Sequence, residues 1–411
     1  MKWLLVVPEY LPDFVGGTII YTNLVAKNLS EAGHDVHILT TTKDKKLAQK
    51  ETINQIKIHR ILRSYGNMGP LFFNYTNEIT NYIVNLDKIE NFDCLNVQNA
   101  FLVNYKKIRK DLFIISTSHM VITYEYFRKI IDQLKQNFSL NSIKDLFLFP
   151  INLPLHYIRE IFFLHKANAI IVMSDFVKNL ISKFFPFLEV NKIYKTGIGF
   201  DKNFMISDNK KNLRAGFNLN DNEVCIFTVR RLDPRMGLIN LINASNILIK
   251  EYKLNNLKIF IAGKGQLKKT LEQRIKKLNL TKNIFLLGFV SDEDLLKWYK
   301  AADLFVMPTK ELEGFGIVAL QALGLGLPVV STKAGANIEL SGRYYPKLLI
   351  KTNNNAKDMA NSIKKWLDTK QEYNCDEIAK KVRDDYSWSK IISKLTKIVN
   401  DQESFFNQDK L

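Results

Sequence analysis

Cysteine is scarce in these 411 residues: Cys94, Cys225 and Cys375 stand far apart and are odd in number. Such usage excludes a disulfide framework and a zinc site built on paired cysteines, and it fits a reducing compartment. No apolar run reaches the roughly twenty residues of a membrane-spanning helix. The opening MKWLLVVPEY has one lysine and a short apolar stretch with Glu9 close behind, so a first β-strand is expected there rather than a secretory leader. No internal repeat or low-complexity tract is evident. Acid is also in deficit, with 41 Asp and Glu against 59 Lys and Arg, a net charge of +18. That excess calls for a polyanionic partner: nucleic acid, anionic lipid or phosphorylated substrate. Its densest patch is Lys106, Lys107, Arg109 and Lys110 beside Tyr105, and the rest is spread along helices. A basic nucleic-acid-binding protein fits the charge alone, and strongly salt-dependent DNA binding would mark it.

What is present is a steady alternation of short apolar runs with helix-length segments. Strands are expected at Lys2–Val7, Val36–Thr40, Lys57–Arg60, Leu95–Val97, Phe113–Ser116 and Ala169–Val172. A second set follows at Val224–Val229, Lys258–Ala262, Ile284–Leu287, Leu304–Met307 and Val329–Ser331. The pattern predicts an α/β fold of two Rossmann-like domains with parallel, doubly wound sheets. The polar stretch Ser207 to Asn222 separates them, giving domains 1–206 and 207–385, with a last amphipathic helix beginning at Tyr386 in segment 386–411. Ligands of such sheets sit at the carboxyl ends of the strands, so a central cleft between the domains is expected to hold the site.

The most informative run is PTKELEGFGIVALQALGLGLPVV, Pro308 to Val330. A strand ends at Pro308, a polar turn carries Glu311 and Glu313, and Gly314 and Gly316 lead into a helix from Ile317 to Leu323. Bare amides at a helix start, with the positive end of the dipole behind them, suit a phosphate or a sugar hydroxyl. The run resembles the signature of family 4 glycosyltransferases, retaining enzymes of the GT-B fold, in which a second Glu follows the first after eight positions. The first Glu matches Glu313, and the second falls on Gln321, which keeps hydrogen bonding but loses charge assistance. Arg230-Arg231-Leu232-Asp233-Pro234-Arg235-Met236-Gly237 resembles the family segment Arg-Leu-x-x-x-Lys-Gly. The resemblance gives Arg231 the donor's diphosphate and puts Met236 where lysine is usual. Arg235, whose planar fork grips phosphate, is the expected substitute for that lysine.

The resemblance further implies donor contacts at Gly17 in the first glycine turn, at Arg230 beside Arg231, at Gly263 and Gly265, at Val290, at Gly314, Phe315, Gly316 and Ile317, and at Gln321. It makes His119, just past a strand end, a polar contact for the sugar, so that His119, Arg231 and Glu313 form the expected catalytic set. Ser174 reads equally as the N-cap of the helix after its strand. Asp292-Glu293-Asp294 matches a metal-binding Asp-x-Asp only formally. Ser291 as N-cap with Asp294 in the capping-box position is the simpler account, so no metal and no cofactor are expected. Residues Val121 to His165 mix aromatic, long aliphatic and basic side chains, a composition that suits an anionic lipid surface and equally a buried interdomain helix, and Pro150 and Pro154 are expected to break the segment.

Together these features predict a glycosyltransferase moving a hexose from a nucleotide diphosphate sugar to a hydroxyl of a glycan or glycolipid, cytoplasmic, at the inner membrane face, with no nucleic-acid partner. A sugar-nucleotide epimerase or phosphorylase shares the architecture. A dinucleotide-dependent oxidoreductase lacks support, because Gly16-Gly17 does not complete Gly-x-Gly-x-x-Gly.

Overall fold

The computed structural model describes the chain apart from residues 13–15, 63–71, 100–102, 136–139, 203, 206–207 and 409–411. Of 72–75, 132–133, 135, 140–145 and 402–408 it describes the backbone only. Two compact units result: Met1–Ile198 with Trp388–Leu411, and Gly199–Ser387. The boundary expected at 206/207 lies outside the described residues. The stretch expected to be a linker contains the helix Lys210–Gly216.

In the first unit eight strands form one sheet: β1 (Lys2–Val6), β2 (Asp35–Thr42), β3 (Lys50–Ile53), β4 (Ile56–Leu62), β5 (Cys94–Gln98), β6 (Phe113–Ser118), β7 (Ala169–Val172) and β8 (Ile193–Lys195), in the order β3-β4-β2-β1-β5-β6-β7-β8. All pairs are parallel except β3 with β4, an antiparallel edge that corrects the all-parallel expectation. Lys50 to Ile53 carries no apolar face to announce it, and three of its four residues are exposed. The inner strands are buried on both faces, as parallel strands covered by helices must be. The helix Trp388–Gln408 belongs to this unit, where it packs on the helix Gly17–Glu31 and buries Ile391, Leu395 and Ile398.

Residues 121–165 make two packed helices, Ile122–Lys135 and Leu140–His165. The second runs through both prolines, against expectation. Pro150 and Pro154 lie four apart on the exposed side, so the carbonyls they leave unpaired face water instead of the interior. Glu160 fixes the pair: its Oε1 accepts from the Ile122 amide at 2.6 Å and its Oε2 from that of Thr123 at 2.8 Å, a carboxylate on a helix N-terminus. From Leu146 to Phe162 every exposed side chain of the second helix is apolar, with Phe147, Ile151, Leu155, Ile158 and Phe162 in one stripe. Among the described residues no helix is long and apolar enough to cross a membrane.

In the second unit β9 (Val224–Val229), β10 (Leu257–Ala262), β11 (Ile284–Gly288), β12 (Leu304–Met307) and β13 (Val329–Ser331) form a parallel sheet in the order β11-β10-β9-β12-β13. The chain leaves β9 toward one edge and returns on its other side at β12, so the strand order reverses between them. The helix Ile317–Gly324 lies on this sheet, and Gly324 is required for packing: a β-carbon there would stand 2.3 Å from the ring of Phe200. Gly324→Ala is expected to destabilise this unit by about 1–3 kcal/mol, the usual cost of overpacking. Urea denaturation reads this directly, and an unchanged midpoint would show that Phe200 moves aside freely.

Candidate active site

In the second unit the carboxyl ends of β9 and β12 flank the reversal of strand order, where open α/β sheets bind ligands. Arg230 follows β9, and Glu313 follows β12 after a turn in which Leu312 takes a left-handed backbone, φ 61°, with its side chain buried. That state costs a branched residue about 1–3 kcal/mol and persists only where the surroundings impose it. Arg230 Nη2 donates to Glu313 Oε2 at 2.6 Å, and the two side chains are only 7% and 14% exposed. The Thr309 hydroxyl donates to the same oxygen at 3.3 Å. Among the described residues Glu313 Oε1 has no protein partner, and neither do Arg230 Nε and Nη1. The pair therefore keeps one acceptor oxygen and two donor nitrogens, with three N–H between them, unspent.

Two glycines allow this approach. A β-carbon at Gly263, φ 130°, would lie 1.9 Å from the carbonyl oxygen of Arg230, and one at Gly335, φ 53°, would lie 2.2 Å from that of Glu313. Only a bare backbone fits under each charged residue. Gly316, left-handed, precedes the helix Ile317–Gly324 without a side-chain cap, so the first amides of that helix remain available to an anion. Asn337, fully buried, turns an unpartnered Oδ1 toward this helix start, 3.7 Å from where a Gly316 β-carbon would stand. Sequence reading did not single out Asn337 or Thr309, and no motif points to either.

The other expected donor contacts fall around this core. Gly265 backs onto Leu232, and Phe315 is buried edge-on to Tyr386. Val290 follows Phe289, whose exposed ring carries Lys264 Nζ 5.1 Å from its centroid. Gln321 turns inward: its Oε1 accepts from the fully buried Tyr299 hydroxyl at 3.3 Å. Of the three arginines Arg231 is exposed, Arg235 is partly exposed in the turn Pro234–Met236, and only Arg230 is buried against an acid.

In the first unit the carboxyl ends of β5 and β6 adjoin the corresponding reversal between β1 and β5. His119, directly after β6, shares a hydrogen bond of 2.9 Å between its Nε2 and Gln98 Oε1, and Tyr21 meets it edge-on. Gln98 in turn donates to Asn96 at 3.0 Å. Gly17 begins its helix behind Gly16, which is extended and gives no side-chain cap. Asn99 holds the same turn by donating to the Thr18 hydroxyl at 2.7 Å.

For metals, one cluster among the described residues has suitable spacing, Asp35, His37 and Glu90, at the amino end of the first sheet. Lys57 and Lys2 already neutralise its two carboxylates, at 3.1 and 2.9 Å. Asp292 to Asp294 occupy the first turn of their helix, and the Ser291 hydroxyl accepts from the Asp294 amide at 3.2 Å. Ser174 likewise caps its helix, accepting from Val177 at 3.3 Å.

Two sequence profiles cover most of the chain. The one described as Glycosyltransferase Family 4 matches residues 15–194, and the one described as Glycosyl transferases group 1 matches residues 209–403. The chain belongs to the family 4 glycosyltransferases. An uncharacterized glycosyltransferase of Methanocaldococcus jannaschii is 28% identical over 408 residues, 95% of this chain and 96% of its own length. Sucrose-phosphate synthase of Thermosynechococcus elongatus superposes with a TM-score of 0.77 at 16% identity, covering 98% of this chain and 99% of its own. Anabaena HepE in complex with UDP-glucose gives 0.69 at 17% identity, covering 98% and 100%. These likenesses identify the fold as GT-B.

In this glycosyltransferase His119 is a neutral group at physiological pH, because burial lowers its imidazole from 6.5 to about 4. The unfolded chain then binds more protons between those two values, so His119 removes stability as pH falls from 6.5 toward 4 and has no effect above. His119→Gln is expected to flatten that part of the pH–stability curve, and NMR is expected to place the ring's titration below 5. An imidazole titrating near its ordinary value would contradict this placement.

Proposed function

We propose that this enzyme transfers a hexose from a nucleotide diphosphate sugar to a hydroxyl of a glycan or glycolipid, with retention at the anomeric carbon. The observation that carries this reading is the Arg230–Glu313 pair across the reversal of strand order, with its unspent donors and acceptor beside an uncapped helix start. As the bond from the anomeric carbon to the diphosphate oxygen breaks, negative charge gathers on the leaving group. A fixed guanidinium and helix amides lower the energy of that charge without reorganising. In this reading Glu313 Oε1 accepts from a sugar hydroxyl, and the neutral His119 of the first unit serves as a polar contact for an uncharged ligand. The complex of HepE with UDP-glucose supports a donor of this class.

The acceptor side of the reading rests on the helix Leu140–His165. Its apolar stripe from Phe147 to Phe162 runs about 22 Å at roughly 1.5 Å per residue. Phe147 is 80% and Phe162 59% exposed. We assign this face to an anionic lipid surface at the cytoplasmic side of a membrane, where a lipid-linked acceptor would be met. The net charge of +18 favours anionic headgroups and opposes pairing with a second copy of equal charge.

Two measurements test these assignments. Glu313→Gln keeps shape and removes charge, so transfer, measured where the variant is fully folded, is expected to fall on the order of a hundredfold, and the urea midpoint to fall as well because Arg230 loses its counter-ion. Turnover close to the parent's would remove Glu313 from the site. The parent is also expected to float with vesicles of anionic phospholipid and not with zwitterionic ones, and Phe147→Ser with Phe162→Ser to release it. Equal flotation of parent and double variant would sink the lipid assignment.

A further inference from the structure

At the amino end of the first sheet, opposite the strand ends that carry His119, lies a polar group with no part in sugar transfer. His37 on β2 is fully buried there, and among the described residues its Nε2 makes no hydrogen bond. That nitrogen faces two carboxylates, with Asp35 Oδ1 at 3.4 Å and Glu90 Oε2 at 3.8 Å. Asp35 opens β2 and Glu90 ends the helix Phe72–Glu90, so the donors come from two elements. We propose that Asp35, His37 and Glu90 form a binding site for a divalent transition-metal ion, zinc by the chemistry of its donors, which fastens the end of that helix to β2.

The spacing is that of ligands rather than of a hydrogen bond. An imidazole bonded to a carboxylate stands about 2.7–2.9 Å from it, whereas ligands about 2.0–2.2 Å from a tetrahedral ion stand roughly 3.3–3.5 Å from one another. The His37–Asp35 separation matches the second spacing, and all three donor atoms lie within 4.8 Å of one another. The ring is held in place, since Phe92 meets it edge-on and His59 Nε2 lies 3.1 Å from its Nδ1. A proton on Nδ1 shared with His59 leaves Nε2 the lone pair that a metal needs, the outer-shell arrangement usual for ligating histidines. The helix end adds the negative pole of its dipole, which favours a cation. Imidazole with carboxylates suits zinc better than magnesium or calcium, and a water completes four ligands. The competitors are internal: Lys2 Nζ lies 2.9 Å from Glu90 Oε2, and Lys57 Nζ 3.1 Å from Asp35 Oδ2. Both lysines are partly exposed on flexible stems, and neither is bonded to Asp35 Oδ1 among the described residues, so an ion enters by displacing Lys2 toward water.

Titration of the chelator-treated full chain with Zn2+, with Mg2+ as control, tests the site. One Zn2+ per chain is expected to bind and to raise the Tm, and Mg2+ to do neither. Glu90→Gln and Asp35→Asn, both at partly exposed positions, are each expected to weaken Zn2+ binding by about tenfold or more, the least that loss of even an outer-shell partner costs. Lys2→Met is expected to tighten it by about tenfold, because the competing cation is gone. Co2+ in place of Zn2+ is expected to show the strong visible bands of four-coordination and to lose them in His37→Gln. If His37→Gln does not fold, the Glu90 and Asp35 variants decide. A parent that binds no Zn2+, parent-like affinity in Glu90→Gln or Asp35→Asn, or unchanged affinity in Lys2→Met overturns the site.

Discussion

The second unit is organised around a carboxylate and a guanidinium withdrawn from water together. Moving each ion into the interior costs several kcal/mol, and their attraction offsets that cost only when the geometry is close and the remaining bonds are made. The surrounding loops provide the close geometry and leave the remaining bonds open. Gly263 clears the backbone under Arg230, Gly335 clears it under Glu313, and the Lys310 amide ties the turn after β12 to the Arg235 carbonyl at 2.9 Å. The strained Leu312 belongs to the same arrangement, since its left-handed turn carries Glu313 back toward β9.

The first unit carries a different chemistry. At the carboxyl ends of β5 and β6 it gathers Asn96, Gln98 and His119, which are neutral, joined by short hydrogen bonds and largely enclosed. Neutral donors and acceptors suit hydroxyl-rich ligands, whose own groups are uncharged, while the cation and the helix start of the second unit suit a phosphate. Each kind of chemistry thus sits at the point of its sheet where the strand order turns.

Much of this was legible from periodicity. β7, β9, β12 and β13 lie where the apolar runs end, because strands buried on both faces show as unbroken Val, Ile and Phe. β3 and β8 escaped, being short, exposed or half-buried edges. The two prolines misled because their effect depends on which side of the helix they occupy, and four-residue spacing put both on the wet side. Arg230, Arg231 and Arg235 were all expected at the donor, and neighbours at a strand end point to opposite faces, so aligning a motif does not say which one is buried against Glu313. The turning of Gln321 toward Tyr299 depends on a packing contact 22 residues apart in the chain.

The helix Trp388–Gln408 completes the first unit, yet it is the last part of the described chain to be made. A ribosome adding roughly 5–20 residues per second needs on the order of ten seconds or more to cross the whole of Gly199–Ser387 first. During that interval the helix Gly17–Glu31 has no partner for the surface that Ile391, Leu395 and Ile398 later cover. The newborn sheet of the first unit therefore waits with an open apolar seam until the codons for residues 388–408 have been read.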